Sequence, residues 1–333
     1  MNRPTMEDVA AEAGVSRALV SLVMRDSPRV STRSRDAVRA AADRLGYRPN
    51  LMARNLAAGR TTTFGLLLND LNNPWFAEIG DSVNEAAETA GYQVIIATAR
   101  RSPAVEERAV EWFLAHRVDG IVLTGSRLPA KRIAEHGRTT PLVSVGRPVR
   151  SDHLDTVNND EHVGARLAVG HLAALGHRRI THLDGGQGAG AAPRRTGYQA
   201  AMRAIGLGDE IDIVTGDFTE DAGLRGVEQL LHRGRVPTAI FAANDLVAIG
   251  ALARLEDAGY RVPDDVSIVG YDDTTLSALR HVSLTTIAQS QAAMGRRAVE
   301  LLLERIGGRR EPRHEVTPAE LVVRCTTGPA PRS

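Results

Sequence analysis

The features of this 333-residue chain that could do chemistry are an adjacent pair of carboxylates, a glycine-rich run and a row of outward-facing residues near the N-terminus. Asp272 and Asp273 are of the type that supports glycoside hydrolysis, with one carboxyl as acid and the other as base or nucleophile. Neighbours at a strand end usually point apart, so these two are not expected to converge on one bond, and no enzymatic activity is expected. Gly185-Gly186-Gln187-Gly188-Ala189-Gly190 invites a dinucleotide reading that fails on spacing. A G-x-G-x-x-G beginning at Gly186 needs glycine where Ala191 stands, and there is no G-x-x-x-x-G-K-[ST] phosphate loop. A flexible loop explains the run better, and no cofactor is expected. The ten histidines lack zinc-type spacing, with His171 and His177 read as structural, so no metal is expected.

The N-terminal row has a clearer use. Thr5 stands three residues before Asp8, a capping-box spacing, and Val9, Ala10 and Ala13 give the following helix a small apolar face that Gly14 ends. Val15 fills the turn, Ser16 caps a second helix, and Val20, Val23 and Met24 form its inner side. Arg17, Ala18, Ser21, Leu22 and Arg25 remain outward. A short helix presenting that row to a major groove, braced by the first helix, is the docking geometry of a helix-turn-helix. Charge supports this over an ordinary helix pair. Residues 1–60 hold eleven arginines and no lysine against six acids, five net positive, so the total of +1 leaves the remainder at −4. A basic head on an acidic body suits a protein that neutralises phosphates at one end.

Length implies a small head and a body of two similar lobes. The single cysteine, Cys325, can form no intrachain disulfide, and no apolar run approaches a membrane span, so the cytoplasm is expected and no membrane partner. A third helix is expected from Val30-Ser31-Thr32 to about Leu45, then an extended bend at Tyr47–Asn50 and a brief helical stretch from Leu51 to Ala58. From Thr63 onward, strands alternate with helices: Phe64–Leu68, Gln93–Ala97, Gly120–Leu123, Leu142–Val145, Ile180–Leu183, Ile211–Val214, Ala239–Ala242 and Val266–Gly270. That alternation specifies α/β architecture, with a parallel sheet covered on both faces. Trp112 reads as a core residue.

The ordered set Asp8-Val9-Ala10 to Val20-Ser21, Leu45-Gly46-Tyr47-Arg48-Pro49-Asn50, Asn73-Pro74-Trp75-Phe76, Val118-Asp119-Gly120-Ile121, His171-Leu172 with Leu175-Gly176-His177, Ala243-Asn244-Asp245, Val269-Gly270-Tyr271-Asp272-Asp273 and Leu284-Thr285-Thr286-Ile287 resembles the LacI/GalR family of bacterial transcription regulators over nearly the whole chain. The resemblance implies an all-α helix-turn-helix head (1–49), a hinge helix and linker (50–60), and a two-lobed body like a periplasmic binding protein (61–333). Lobe 1 would take about 61–160 and 288–320, lobe 2 about 161–287. It further implies a homodimer that represses transcription at a palindromic operator, with a small molecule, a carbohydrate above all, held between the lobes.

Base reading is expected of Arg17, Ala18, Ser21 and Leu22, where Arg17 can bond a guanine edge and Ala18 and Leu22 offer apolar contact. Leu22 departs from the family, which usually has arginine there. Thr5, Ser16, Ser31 and Asn50 are expected to clamp phosphates. The stretch containing Ala53 and Leu56 is similar to the family's hinge helix, in which a leucine wedges open a minor-groove base step. Open parallel sheets bind ligands at the carboxyl ends of their strands, which nominates Asn73, Trp75 and Phe76, with the indole stacking on a sugar face. By resemblance Arg194, Asn244, Asp272 and Asp160 join them, while Asp245 and Asp273 read as a helix cap or turn bonds. Replacing Leu56 by Ala is expected to weaken specific operator affinity while sparing nonspecific binding, because the wedge and the bend it stabilises go together. Circular-permutation gel assays check this, and an unchanged DNA bend would refute it.

Overall fold

The computed structural model describes residues 4–48 and 61–332 and divides into two compact units, 1–61 and 62–333. Asn50, Ala53 and Leu56 lie outside the described residues. The first unit is helical: α1 (Met6–Ala13), α2 (Arg17–Val23) and α3 (Thr32–Leu45). Each begins on a side-chain cap. Thr5 and Asp8 form the reciprocal box, Ser16 accepts from the Leu19 amide and Ser31 from the Ser34 amide, which satisfies donors that a helix start otherwise leaves open. Gly14 ends α1 in the left-handed region at φ 66°, where a Cβ would be strained. Val9, Val20, Val23, Val38 and Ala41 meet in a core that Tyr47 closes, so Tyr47 is a core residue and not merely part of a bend. Leu22, expected outward, is half-buried against that core.

The second unit is α/β. Its larger sheet is built from β1 (Thr63–Leu68), β2 (Gln93–Thr98), β3 (Gly120–Thr124), β4 (Leu142–Val145), β5 (Asp155–Asn159) and β11 (His314–Thr317), in the order β11-β5-β4-β3-β1-β2. The second contains β6 (Ile180–Asp184), β7 (Asp212–Thr215), β8 (Ala239–Ala242) and β9 (Ser267–Val269), in the order β7-β6-β8-β9. Every pairing in both is parallel, as runs such as Phe64–Leu68, buried on both faces, require. Helices α4 (Pro74–Thr89), α5 (Pro103–Ala115), α6 (Ala130–Gly137) and α11 (Gln291–Ile306) belong with the first sheet. Helices α7 (Glu161–Ala174), α8 (Ala191–Ala204), α9 (Glu220–His232) and α10 (Asp245–Asp257) belong with the second.

The chain passes between the sheets after β5, again at β10 (Thr286–Ala288), and a third time between β11 and β12 (Glu320–Val322). Strands β10 and β12 pair antiparallel. Beyond β12 the backbone returns to the second sheet: the Ile268 amide donates to the Thr326 carbonyl at 2.8 Å and the Ala330 amide to the Leu175 carbonyl at 2.9 Å. Trp112 is not core. It is 45% exposed and stacks on His116 one turn later, with ring centroids 3.8 Å apart.

Helices α9 and α10 touch through glycine. A Cβ on Gly250 would lie 2.0 Å from the Glu220 carbonyl oxygen, and one on Gly223 would lie 2.1 Å from that of Val247. Backbone cannot swing aside as a side chain can. Gly250→Ala is therefore expected to destabilise the second unit, because the overpacking cost of about 1–3 kcal/mol exceeds the helix-propensity gain of about 1 kcal/mol. Urea unfolding checks the sign, and a midpoint at or above wild type would refute it.

Candidate functional site

The first turn of α4 is fixed by Asn73, whose side chain accepts from the Trp75 amide at 3.0 Å, with Pro74 at the first helical position. This sets Trp75 and Phe76 edge to face, centroids 4.9 Å apart, each less than a tenth exposed. The strands opposite leave room for the rings. A Cβ on Gly146 would stand 2.6 Å from the Trp75 ring, and one on Gly125 would stand 2.8 Å from the Phe76 ring. Asn73, Trp75 and Phe76 line a cavity together with Arg194 and Asp272, and its empty space, part of it open to solvent, is about 580 Å³.

Arg194 lies on α8 and is 3% exposed. Its Nε donates to Glu161 Oε2 at 2.8 Å, its Nη2 stands 2.7 Å from the same oxygen, and Nη1 donates to the Ala243 carbonyl. The guanidinium carbon sits 3.4 Å from the Tyr271 ring centroid. Burial works against its charge, but Glu161 and the neighbouring acidic groups outweigh it, and the net shift is upward. Asp272 follows β9 with φ 113°, an unusual backbone conformation outside glycine. Gln289 donates to its Oδ1 and Gln291 to its carbonyl. Burial pushes the Asp272 carboxyl well above its ordinary range, Arg194 pulling the other way and Asp245 adding to the rise. Asp273 instead binds Arg324 at 2.6 Å and Ser277 at 3.0 Å, so the adjacent carboxylates serve different partners.

Asn244 and Asp160 do not line the cavity. Asn244 caps α10 by accepting from the Val247 amide at 3.0 Å, and Asp160 caps α7 by accepting from the Val163 amide at 2.9 Å. The helix cap is thus Asn244 and not Asp245. Asp245 is fully buried and accepts from the Thr274 amide, the Thr274 hydroxyl and the Thr286 hydroxyl, tying the loop after β9 to β10. Burial raises its pKa to about 7 against the pull of those donors. His177 bonds Thr238, Ser267 and the Gly328 carbonyl, and His171 bonds Thr327, a structural use of both rings. Among the described residues no group of His, Cys, Asp and Glu is placed to hold a metal, and no helix is long and apolar enough to cross a membrane.

In the head, Arg17 and Ala18 are exposed at the start of α2, with Ser21 and Leu22 half-buried below them. Arg17 pairs with Glu7 at 2.9 Å, while Arg35 and Arg39 share Asp26 at 3.3 and 2.7 Å. Thr5, Ser16 and Ser31 are exposed and already act as helix caps.

Residues 5–50 match the model of the lacI family of bacterial regulatory proteins, and residues 169–327 match a periplasmic binding protein-like domain. Over 97% of its length the chain is 38% identical to the HTH-type transcriptional regulator CelR of Thermobifida fusca, covering 98% of that protein. It is 34% identical to the HTH-type transcriptional repressor CytR of Escherichia coli, covering 98% of this chain and 97% of that one. The chain belongs to the LacI family. Its fold agrees with that membership. The lac repressor dimer bound to operator and the anti-inducer ONPF superposes with a TM-score of 0.87 at 30% identity, over 98% of this chain and 100% of that one. A CelR–cellobiose complex does so with a TM-score of 0.72 at 36% identity, over 97% and 100%.

For this LacI-family chain, the sequence reading missed several cavity residues: Asn69, Arg127, Glu161, Phe218 and Gln289. Asn69 directly follows β1 and Arg127 lies just beyond β3, so the strand-end rule reaches both. Nothing local to Phe218 marks it. The geometry also alters what Arg194 must do, because it neutralises a largely buried glutamate as well as lining the cavity. Arg194→Ala is expected to cost about 3–5 kcal/mol of body stability by stranding Glu161. Arg194→Ala combined with Glu161→Gln should recover part of that loss in urea unfolding, and no recovery would refute the coupling.

Proposed function

We propose that this protein is a ligand-responsive transcriptional repressor that binds a near-palindromic operator as a homodimer, with a small polyol in the cleft setting its DNA affinity. On this reading residues 1–49 contact DNA, residues 50–60 form the hinge, and residues 61–333 bind effector and dimerise. Arg17, Ala18, Ser21 and Leu22 read bases, and Thr5, Ser16, Ser31 and Asn50 hold phosphates. Ala53 and Leu56 enter the minor groove. In the cleft, Asn73, Trp75, Phe76, Arg194 and Asp272 surround the effector, and Asn244 and Asp160 act by capping the helices beside it. The action takes place in the cytoplasm, where operator DNA is found.

The observation that carries the reading is the pairing, in one chain, of a capped basic helix-turn-helix with a separate cavity whose polar atoms await partners. Trp75 Nε1 and Asn69 Oδ1 are buried there, and among the described residues neither has a hydrogen-bond partner. A buried donor and a buried acceptor on the lining of one cavity, the donor on an indole, suit a ligand bearing hydroxyls on an apolar ring. CelR, whose structure is that of a complex with cellobiose, supports a carbohydrate. Against an enzyme stand the separate commitments of Asp272 to Gln289 and of Asp273 to Arg324. A ligand can move DNA affinity only by binding two arrangements of the body unequally.

Gel shifts of the full chain on the DNA upstream of its own gene test this. Binding should protect two related half-sites and weaken by about 10³–10⁵ between 50 and 200 mM salt, as 6–10 phosphate contacts require. Protection of a single asymmetric half-site, or salt-independent binding, would overturn it.

A further inference from the structure

Three arginines line the cleft, two in ion pairs and one not, and the acids Asp70 and Asp272 line it without an ion pair among the described residues. Arg194 is neutralised by Glu161, and Arg101, at the rim, by Asp217 at 3.1 Å. Arg127 also lines the cavity, yet among the described residues it makes no ion pair, and its buried Nε has no acceptor. Of the acids whose charge reaches it, Asp217 pairs with Arg101, Asp70 keeps its charge while accepting from the Asn72 amide, and Glu106 accepts from the Arg127 backbone; none bonds the guanidinium among the described residues. Burial, with the Arg101 charge adding to it, lowers the Arg127 pKa. An unanswered guanidinium partly out of water is costly, and a fixed one is selective.

The backbone that carries it is fixed from both sides. Glu106 is fully buried on α5 and accepts from the Ser126 hydroxyl and, at 2.9 Å, from the Arg127 amide. Arg147, after β4, donates through Nη1 to the Ser126 carbonyl at 2.7 Å and to that of Leu128. Residues 126–128 are thereby clamped between a buried acid and a second arginine. Arg127 and Arg147 share the cleft mouth with the run Gln187-Gly188-Ala189-Gly190, which brings no charged side chain to it. Helix α8 begins at that run without a side-chain cap, so its positive end adds to the field.

We infer that the effector carries an oxyanion, phosphate or carboxylate, which Arg127 binds at the cleft mouth while the polyol part lies against Trp75 and Phe76. This deepens the effector-cleft reading above and rests on it. Arg127 offers the planar fork that takes two oxygens at once, a match that a single hydroxyl cannot make. The glycine-rich run contributes room for the group rather than a nucleotide site.

The test is a thermal-shift and calorimetry panel on the full chain, using glucose, cellobiose, glucuronate, gluconate and glucose 6-phosphate, with orthophosphate alone as a further arm. Anion-bearing members should bind at least tenfold more tightly than their neutral parents. The uronate and phosphate arms distinguish the two oxyanions. Arg127→Gln should lower the affinity for them by about 10- to 100-fold, as loss of a charged hydrogen bond does, and lower that for neutral sugars by much less. Arg127→Lys should restore part of the loss, and melting temperatures without ligand report whether each variant is folded. Neutral sugars binding as tightly as their anionic derivatives would overturn the inference and leave the regulator reading standing. So would a panel in which nothing binds and orthophosphate protects wild type and Arg127→Gln equally. Failure of operator binding in the gel shift would instead count against the function itself.

Discussion

A buried positive charge that must be answered organises the body of this protein. Arg194 collects Glu161 from the first crossing between the sheets, the Ala243 carbonyl from the end of β8, and the face of Tyr271 from the end of β9. Tyr271 in turn receives the Asn159 side-chain amide at 2.5 Å from the last residue of β5, which joins the two sheets across that crossing. Gly164 admits the phenol, since a Cβ there would lie 2.2 Å from its oxygen. One guanidinium thus sets where three strand ends stand around the cavity. Buried pairs of this kind add little net stability, but removing one partner is severe, so their value lies in fixing a geometry.

The head follows a different electrostatic logic. Arg17, Arg39 and Arg44 are paired with Glu7, Asp26 and Glu12 at exposed positions, where an ion pair is worth about 0–1 kcal/mol. Such pairs hold the side chains near the surface without committing them. Exchange of a carboxylate for a phosphate costs little, so the acids spaced among the arginines do not oppose nucleic-acid binding. The capping residues use their side chains on their own helices, which leaves the shape of the reading face independent of DNA.

Much of this was legible in the sequence because it depends on local rules. Strand–helix alternation located most of the parallel strands, the family resemblance divided them between two lobes, and the glycine and serine punctuation of the head located its helices to within a residue or two. What escaped was short or polar: β5 reads Asp-Thr-Val-Asn-Asn, and its burial comes from Arg305 and Arg309 enclosing Asp155, a contact 150 residues distant that no window can see. The strand-end rule nominated Asn73, Trp75 and Phe76, and resemblance nominated Arg194 and Asp272, all of which line the cavity. Asn244 and Asp160 carried the ordinary signal of a polar residue preceding a helix and were used that way. Trp112 misled because an indole at helical spacing reads as core, whereas here it rests on His116 at the surface.

The return of the chain after β12 gives synthesis an order. Thr326 fills the outer side of β9, Gly328 meets His177, and Ala330 reaches Leu175, so the second sheet lacks an edge until nearly all the described residues have been made. Helices α1 to α3 need nothing beyond Tyr47 to close their own core. On the ribosome the head can be in its final form while the second sheet waits for the residues beyond β12, and in the interval that open edge is the surface most in need of protection.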